Sequence, residues 1–243
     1  MHRILVAEGT LFIAVLCGSI TWAAGAPSTV PEAIERYARD VDVVVKGSRP
    51  VSLEPVFEEG ISAAAALERD QLEQFDEPTY HKVQSMMVGF AVSREEVVLA
   101  APLPDFFLKL AREKGTSVDQ AFFEALKGTY PDGVRPAYDG SQTDYGGCVI
   151  FDGKTLTTLY GTWVGFQKSY PERYRRAAQR ELTAIEQAVT STCACGGKDG
   201  VVKELEAFSR AYPASRIIDQ VASRLQAVKG GASAGIQFYC QAR

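Results

Sequence analysis

Apolar positions recur along this chain at the three- and four-residue spacing of helices, and glycine and proline break the pattern where each helix must stop. Thr29 and Glu32 stand three apart with Pro31 between them, which predicts a capping box and a helix start. Ile34, Tyr37, Val41 and Val44 then share one face, and Gly47 closes the run. Val43-Val44-Val45 alone would suit a strand, but no partner strand is evident. Residues 54–77 carry eight acids and a single base, Arg69, yet alanines 63–66 with Leu67, Leu72 and Phe75 favour helix. Pro78 opens another helix, with Tyr80, Val83, Met87 and Phe90 along one side. Ser93-x-x-Glu96 predicts the cap of a short helix stopping before Pro102. A further helix starts at Pro104 and ends at Gly115, and Ser117-x-x-Gln120 caps the next, which buries Val118, Ala121, Phe122, Ala125 and Leu126.

Residues 129–153 interrupt this order. Pro131, Gly133, Pro136, Gly140, Gly146, Gly147 and Gly153 exclude a long helix and mark a connection between two lobes. Cys148-Val149-Ile150-Phe151 before Asp152-Gly153 predicts one arm of a small hairpin. The chain therefore divides into an N-terminal helical lobe over 27–128, a Gly/Pro-rich connection over 129–153, and a C-terminal helical part over 154–243.

That last part repeats. Phe166, Tyr170 and Pro171 match Phe208, Tyr212 and Pro213 at an offset of 42 residues. After one inserted residue, Leu182, Ala184 and Ile185 match Leu225, Ala227 and Val228. A third Tyr-Pro, Tyr130-Pro131, follows a helix ending in Leu126 but lacks a clear second helix. The stretch Phe208-Ser-Arg-Ala-Tyr212-Pro213-Ala-Ser215 resembles the tetratricopeptide-type helical hairpins of bacterial envelope proteins, where a helix ends in Tyr-Pro-x-Ser. The copy at 157–187 is similar, with Arg173 in place of the serine. The resemblance covers residues 155–230, and its period departs from the usual 34 residues of the family. It implies an all-α fold of helical hairpins stacked in a TPR-like array, with a binding surface rather than a reaction.

The beginning of the chain changes the picture of where such a protein works. Met1-His2-Arg3, an apolar stretch from Leu11 to Ala24, and the small residues Ala23, Ala24, Gly25 and Ala26 follow the layout of a secretory signal over 1–25. An uncleaved anchor is disfavoured by the shortness of the run and by Glu8 and Gly18. Lipidation at Cys17 is disfavoured by Leu16, where a small residue belongs. No later segment is apolar enough to span a membrane, so no stable span is expected after signal removal. Four cysteines remain in the mature part, Cys148, Cys193, Cys195 and Cys240. An even number in an exported chain predicts two structural disulfides. Closing Cys193 on Cys195 would strain the bond, so each is expected to pair with Cys148 or Cys240. A redox Cys-x-Cys or a four-cysteine zinc site is the alternative, although paired zinc ligands are usually spaced wider. A net charge of −4 gives no general attraction to nucleic acid.

Candidate chemistry is sparse. His81 is the only histidine beyond the signal and has no evident relay partner, so neither a multi-histidine metal site nor a catalytic triad is expected. No catalytic residue, metal site or cofactor is assigned. Glu58 and Glu59 read as a solvated acidic face. Gly161-x-x-x-Gly165 reads as close helix packing. Asp144 and Tyr145 occupy the glycine-rich loop near Cys148, a position suited to binding. Arg173, Arg176 and Arg180 fall on one helix face, either to bind an acidic partner or to pair with Glu172, Glu181 and the acidic 54–77 segment. The expected function is a non-enzymatic helical protein that binds an envelope or secreted protein, as scaffold, adaptor or inhibitor. A carboxylate-dependent hydrolase of glycan is the alternative, requiring two acids from separate helices with one pKa raised by burial. A thiol–disulfide protein using Cys193 and Cys195 is a third.

Overall fold

Prolines and glycines end helices largely where the sequence places them. The computed structural model describes residues 29–67, 69–95, 99–140, 148–191, 193–195 and 197–230. The signal segment 1–25, Cys17, Asp144, Tyr145 and Cys240 lie outside the described residues. Helices dominate what is described. In order these are α1 (Glu32–Lys46), α2 (Glu54–Ala65), α3 (Arg69–Gln74), α4 (Glu77–Met86), α5 (Pro104–Lys114), α6 (Ser117–Thr129), α7 (Thr155–Ser169), α8 (Arg175–Thr190), α9 (Lys198–Ala211) and α10 (Ile218–Lys229). Two antiparallel strands, β1 (Phe90–Ser93) and β2 (Leu99–Pro102), follow α4, and two short parallel strands, β3 (Val149–Ile150) and β4 (Ala194–Cys195), flank the α7–α8 hairpin. The buried apolar side chains form one cluster reaching from Ile34 on α1 to Val228 on α10.

Four local expectations are corrected. Pro31 itself caps α1 without a side-chain hydrogen bond, so Thr29 and Glu32 form no capping box, and Val43–Val45 finish the helix rather than a strand. The box of α6 is formed one residue earlier, by Thr116 and Asp119. The helix expected after Ser93 is absent over the described residues of that stretch, which instead form the β1–β2 hairpin. Phe90 and Val92 enter the core two residues apart, the period of a strand, and Gly89 at φ +83 makes the turn out of α4. Finally, Val149 and Ile150 pair in parallel with Ala194 and Cys195, and Val149 also bridges antiparallel to Asp139 on the preceding segment, whereas Asp152-Gly153 leads into α7 and not into a second arm.

The Tyr-Pro motif repeats as geometry. Tyr130, Tyr170 and Tyr212 each cap a helix C-terminus with nearly the same backbone angles, φ −121, −136 and −131 and ψ 71, 64 and 60. A following proline disfavours the α region for the residue before it, and each tyrosine lies outside that region. Each tyrosine N–H donates to the carbonyl four residues back, at 2.9 Å in all three. Each tyrosine carbonyl then accepts from the N–H three residues on, in Gly133, Arg173 and Ser215. After the second and third turns a helix follows and packs back, giving the hairpins α7–α8 and α9–α10; α7 also meets α9, and α8 meets α10. After the first turn Gly133 at φ +98 and Pro136 prevent a helix. There the acidic helix α2 faces α6 and α8 instead: the Phe57 ring lies 5.3 Å from Phe122, and Glu54 and Glu58 bond to Arg173 and Arg180.

One carboxyl group joins these parts. Asp119 is fully buried at the start of α6. It accepts from the Thr116 N–H at 2.6 Å and the Thr116 hydroxyl at 2.7 Å, from the Leu53 N–H ahead of α2 at 3.1 Å, and from the Tyr174 hydroxyl ahead of α8 at 2.6 Å. Tyr174 adopts the left-handed conformation at φ 50, which costs a residue with a Cβ about 1 kcal/mol. Its ring, fully buried, stacks on Phe122 at 3.9 Å. Burial, then the bond to Asp119, pushes the Tyr174 hydroxyl far above its ordinary pKa, so it remains a donor. Beside it Glu54 accepts from the Tyr174 N–H and from Arg173 Nε, while Arg173 Nη2 donates to Ser52 Oγ. Asp119→Ala should leave several buried donors unanswered and destabilise the fold by about 3–5 kcal/mol. Tyr174→Phe should cost about 1–2 kcal/mol. Urea denaturation followed by circular dichroism checks both the sizes and their order.

The Cys148–Cys195 disulfide closes the base of the α7–α8 hairpin with a Cα–Cα separation of 5.1 Å. Cys193 is disulfide-bonded as well. The Cys-x-Cys motif therefore does not close on itself. A non-reducing peptide map should place Cys148 and Cys195 in one linked species, which also carries the partner of Cys193 and separates into its component peptides on reduction.

Candidate binding site along the α8 face

Helix α8 buries Ala177, Ala178, Leu182, Ile185, Ala188 and Val189 and presents Arg175, Arg176, Gln179, Arg180, Thr183 and Gln187 on its other sides. Three adjoining clefts run over this presented surface. The first, about 480 Å³, lies between α7, α8 and the Tyr212-Pro213 turn, with Tyr160, Val164, Gln179, Leu182 and Arg216 among its walls. The second, about 620 Å³, is shallow and lined wholly by α8. The third, about 370 Å³, lies between α2, α6, β2 and α8. Gln179 is shared by the first two, and Arg180 and Ala184 by the last two, so the three are continuous.

The walls are held by specific bonds. In the first cleft Glu186 receives Arg216 through two contacts, at 2.8 and 2.5 Å, and Tyr160 bonds to Ser215 at 2.8 Å. Beneath the C-terminus of α8, Arg224 donates to the carbonyls of Ala188 and Val189, at 3.1 and 2.6 Å. These are free helix-end acceptors that favour a cation. Burial holds Arg224 down, to about 10. At the far end of α7, Asp152 caps the helix through Thr155 and Lys154. Burial pushes Asp152 up, but those bonds outweigh it and bring it to about 2.

The three arginines separate into two roles. Arg173 and Arg180 are committed to α2, through Glu54 at 2.7 Å and Glu58 at 3.3 Å. The alternative of pairing with the acidic segment is thus realised for both. Arg176 is exposed and makes no ion pair among the described residues, and it lines the second cleft with Arg175. Glu58 and Glu59, expected to form a solvated face, are each half-buried in an ion pair, with Arg180 and Arg36. His81 is exposed beside Glu77. Gly161 packs closely on Tyr212, whereas Gly165 meets nothing, so only one of that glycine pair serves packing. Among the described residues no group of acids, cysteines and histidines is placed to hold a metal ion, and no helix is long and apolar enough to cross a membrane.

Glu181 is the residue the sequence did not single out. It lines the third cleft with Phe57, Phe122, Leu126 and Tyr130. The Tyr130 hydroxyl donates to its Oε2 at 3.0 Å. Burial raises its carboxyl to about 7, against the lowering effect of Tyr130 and Arg180. Its negative charge adds to burial in raising Tyr138 to about 12. A signal for it existed in the chain: Ala177, Glu181 and Ala184 follow at i, i+4 and i+7, a lone acid in a row of small residues. Nothing in α8 alone says that α2 and α6 will cover that row.

Because the folded-state pKa of Glu181 is raised, the cost of ionising it in the fold is absent at low pH. Stability should fall as pH rises from about 4.5 through about 7. Glu181→Gln removes this dependence. Relative to the parent, the variant should gain about 1–2 kcal/mol between pH 5 and pH 8, less than the full shift because the group is only half-buried. Paired urea denaturations at the two pH values measure it.

No protein-family model matches the chain, and no curated protein or solved structure matches it.

Proposed function

We propose that this chain is exported, loses its first 25 or so residues, and acts in the cell envelope as a non-enzymatic module that grips another protein along α8. The observation that carries this reading is the continuity of the three clefts over one helix whose presented side chains are polar and whose arginines 175 and 176 are not spent within the described fold. Stacked helical hairpins of the tetratricopeptide type bind extended partners along such a surface. The repeated Tyr-Pro turns support that architecture for α6 to α10. A disulfide agrees with an oxidising compartment. The open cations favour an acidic partner segment over the second cleft.

A second reading has one observation in its favour. Glu181 is an acid raised by burial in a cleft, as a carboxylate hydrolase needs. Its partner acid would have to come from another helix, and Glu58 on α2 is already engaged by Arg180. Glycan hydrolysis by the purified protein that disappears in Glu181→Gln would put this reading first.

The test of binding uses tagged protein expressed with its own signal in its native host, cross-linked and recovered for mass spectrometry. One partner at near-equal amount should fall at least tenfold in Arg175→Glu combined with Arg176→Glu. Both arginines are exposed and make no ion pair among the described residues, so circular dichroism should be unchanged. Recovery of no protein above background, or of a partner indifferent to these changes, overturns the reading.

A further inference from the structure

The third cleft differs from the rest of the α8 surface in holding an acid that the protein does not neutralise. Among the described residues Glu181 makes no ion pair, and its single hydrogen bond comes from Tyr130. That bond occupies Oε2 and leaves Oε1 without a donor. The nearest cation, Arg180, is turned to Glu58 on α2, with Nη1 at 3.3 Å and Nη2 at 3.5 Å. The walls around the carboxyl are apolar and aromatic, from Phe57 and Ile61 on α2, Phe122 and Leu126 on α6, and Ala184 on α8. A half-buried acid in such surroundings is costly unless a cation completes it.

We propose that the third cleft receives the side chain of a lysine from the bound partner, its ammonium group on Glu181 and its methylene stem along Ile61, Pro102 and Ala184, wall residues that keep accessible surface. This deepens the binding reading and rests on it. Lysine is preferred to arginine on geometry. A guanidinium gains its advantage by bonding both carboxylate oxygens, and one of these already receives Tyr130. A point-charge ammonium needs a single free oxygen. The apolar wall suits a lysine stem as well, since long cationic side chains bury their methylenes and keep the charge at a polar tip. The cleft, at about 370 Å³, has room for one such chain. The partner surface thus combines acids over Arg175 and Arg176 with one lysine a turn and a half further along α8.

Binding should follow the ionisation of Glu181. The groups facing it are Tyr130 at the end of α6, Tyr138 in the loop after it, Arg180 on α8 itself, and Glu58 on α2 through Arg180. The two tyrosines stay protonated throughout the neutral range, one of them raised to about 12 and the other further. Of the facing groups whose shifts are resolved, only Glu181 changes charge between pH 6 and pH 8.

The probe is Nα-acetyl-lysine methylamide, titrated into the isotope-labelled mature protein by NMR. Shifts should map to Ile61, Tyr130, Val134 and Ala184, and affinity should rise about tenfold from pH 6 to pH 8 as Glu181 ionises. Glu181→Gln, a neutral replacement of the same shape, should lose at least tenfold in affinity and all pH dependence. The Nε-acetylated probe should not bind. Equal binding by the acetylated probe, binding unaffected by Glu181→Gln, or tighter binding of the arginine analogue would each overturn the proposal. The wider reading is separable: a partner captured through Arg176 that binds Glu181→Gln equally well leaves the α8 surface standing and removes the lysine.

Discussion

Three segments distant in sequence meet at the carboxyl group of Asp119. A buried acid is tolerated only when its lone pairs are answered, and here they are answered from three directions: its own helix cap, the entry to α2, and the turn before α8. The positions of Leu53, Thr116 and Tyr174 are thereby fixed relative to one another, although they span more than a hundred residues of chain. Tyr174 accepts an unfavourable backbone conformation to make its contribution. Arg173 and Glu54 reinforce the same junction from the outside. The α8 surface can therefore be regarded as a platform whose orientation is set by a polar knot rather than by apolar contact alone.

The local grammar of the chain was readable because its causes are local. Pro104 and Gly115 bound α5 as they should, since a proline suits the first turn of a helix and a glycine its exit. The three Tyr-Pro pairs were visible as a repeat, and each sets the same turn because the proline constrains the residue before it. The β1–β2 hairpin was misread because Ser93 and Glu96 imitate a cap. What decides the matter is burial of Phe90 against Tyr37 and Phe107, contacts no short window contains. Capping boxes were also placed one residue late or too freely: Thr116, not Ser117, reaches the N–H of Asp119.

The site was less legible than the fold. Three arginines at helical spacing look alike in sequence, yet two are paired with Glu54 and Glu58, and Arg176 makes no ion pair among the described residues. The distinction depends on where α2 packs, and α2 faces α8 because the first Tyr-Pro turn fails to continue into a helix of its own. Glu181 gained its character from the same event. With α2 and α6 on either side, an acid that would otherwise face water is held in apolar surroundings.

The Cys148–Cys195 bond has a mechanical meaning as well. It makes a closed ring of the segment containing α7 and α8, the joined positions lying 47 apart in sequence. A tension applied to the chain on either side of that ring passes through the sulfur atoms and bypasses both helices. About 160 Å of extended backbone is thus withheld from any pull. The helices that carry the clefts would keep their ends together in an envelope under load, even after the flanking elements had been drawn out.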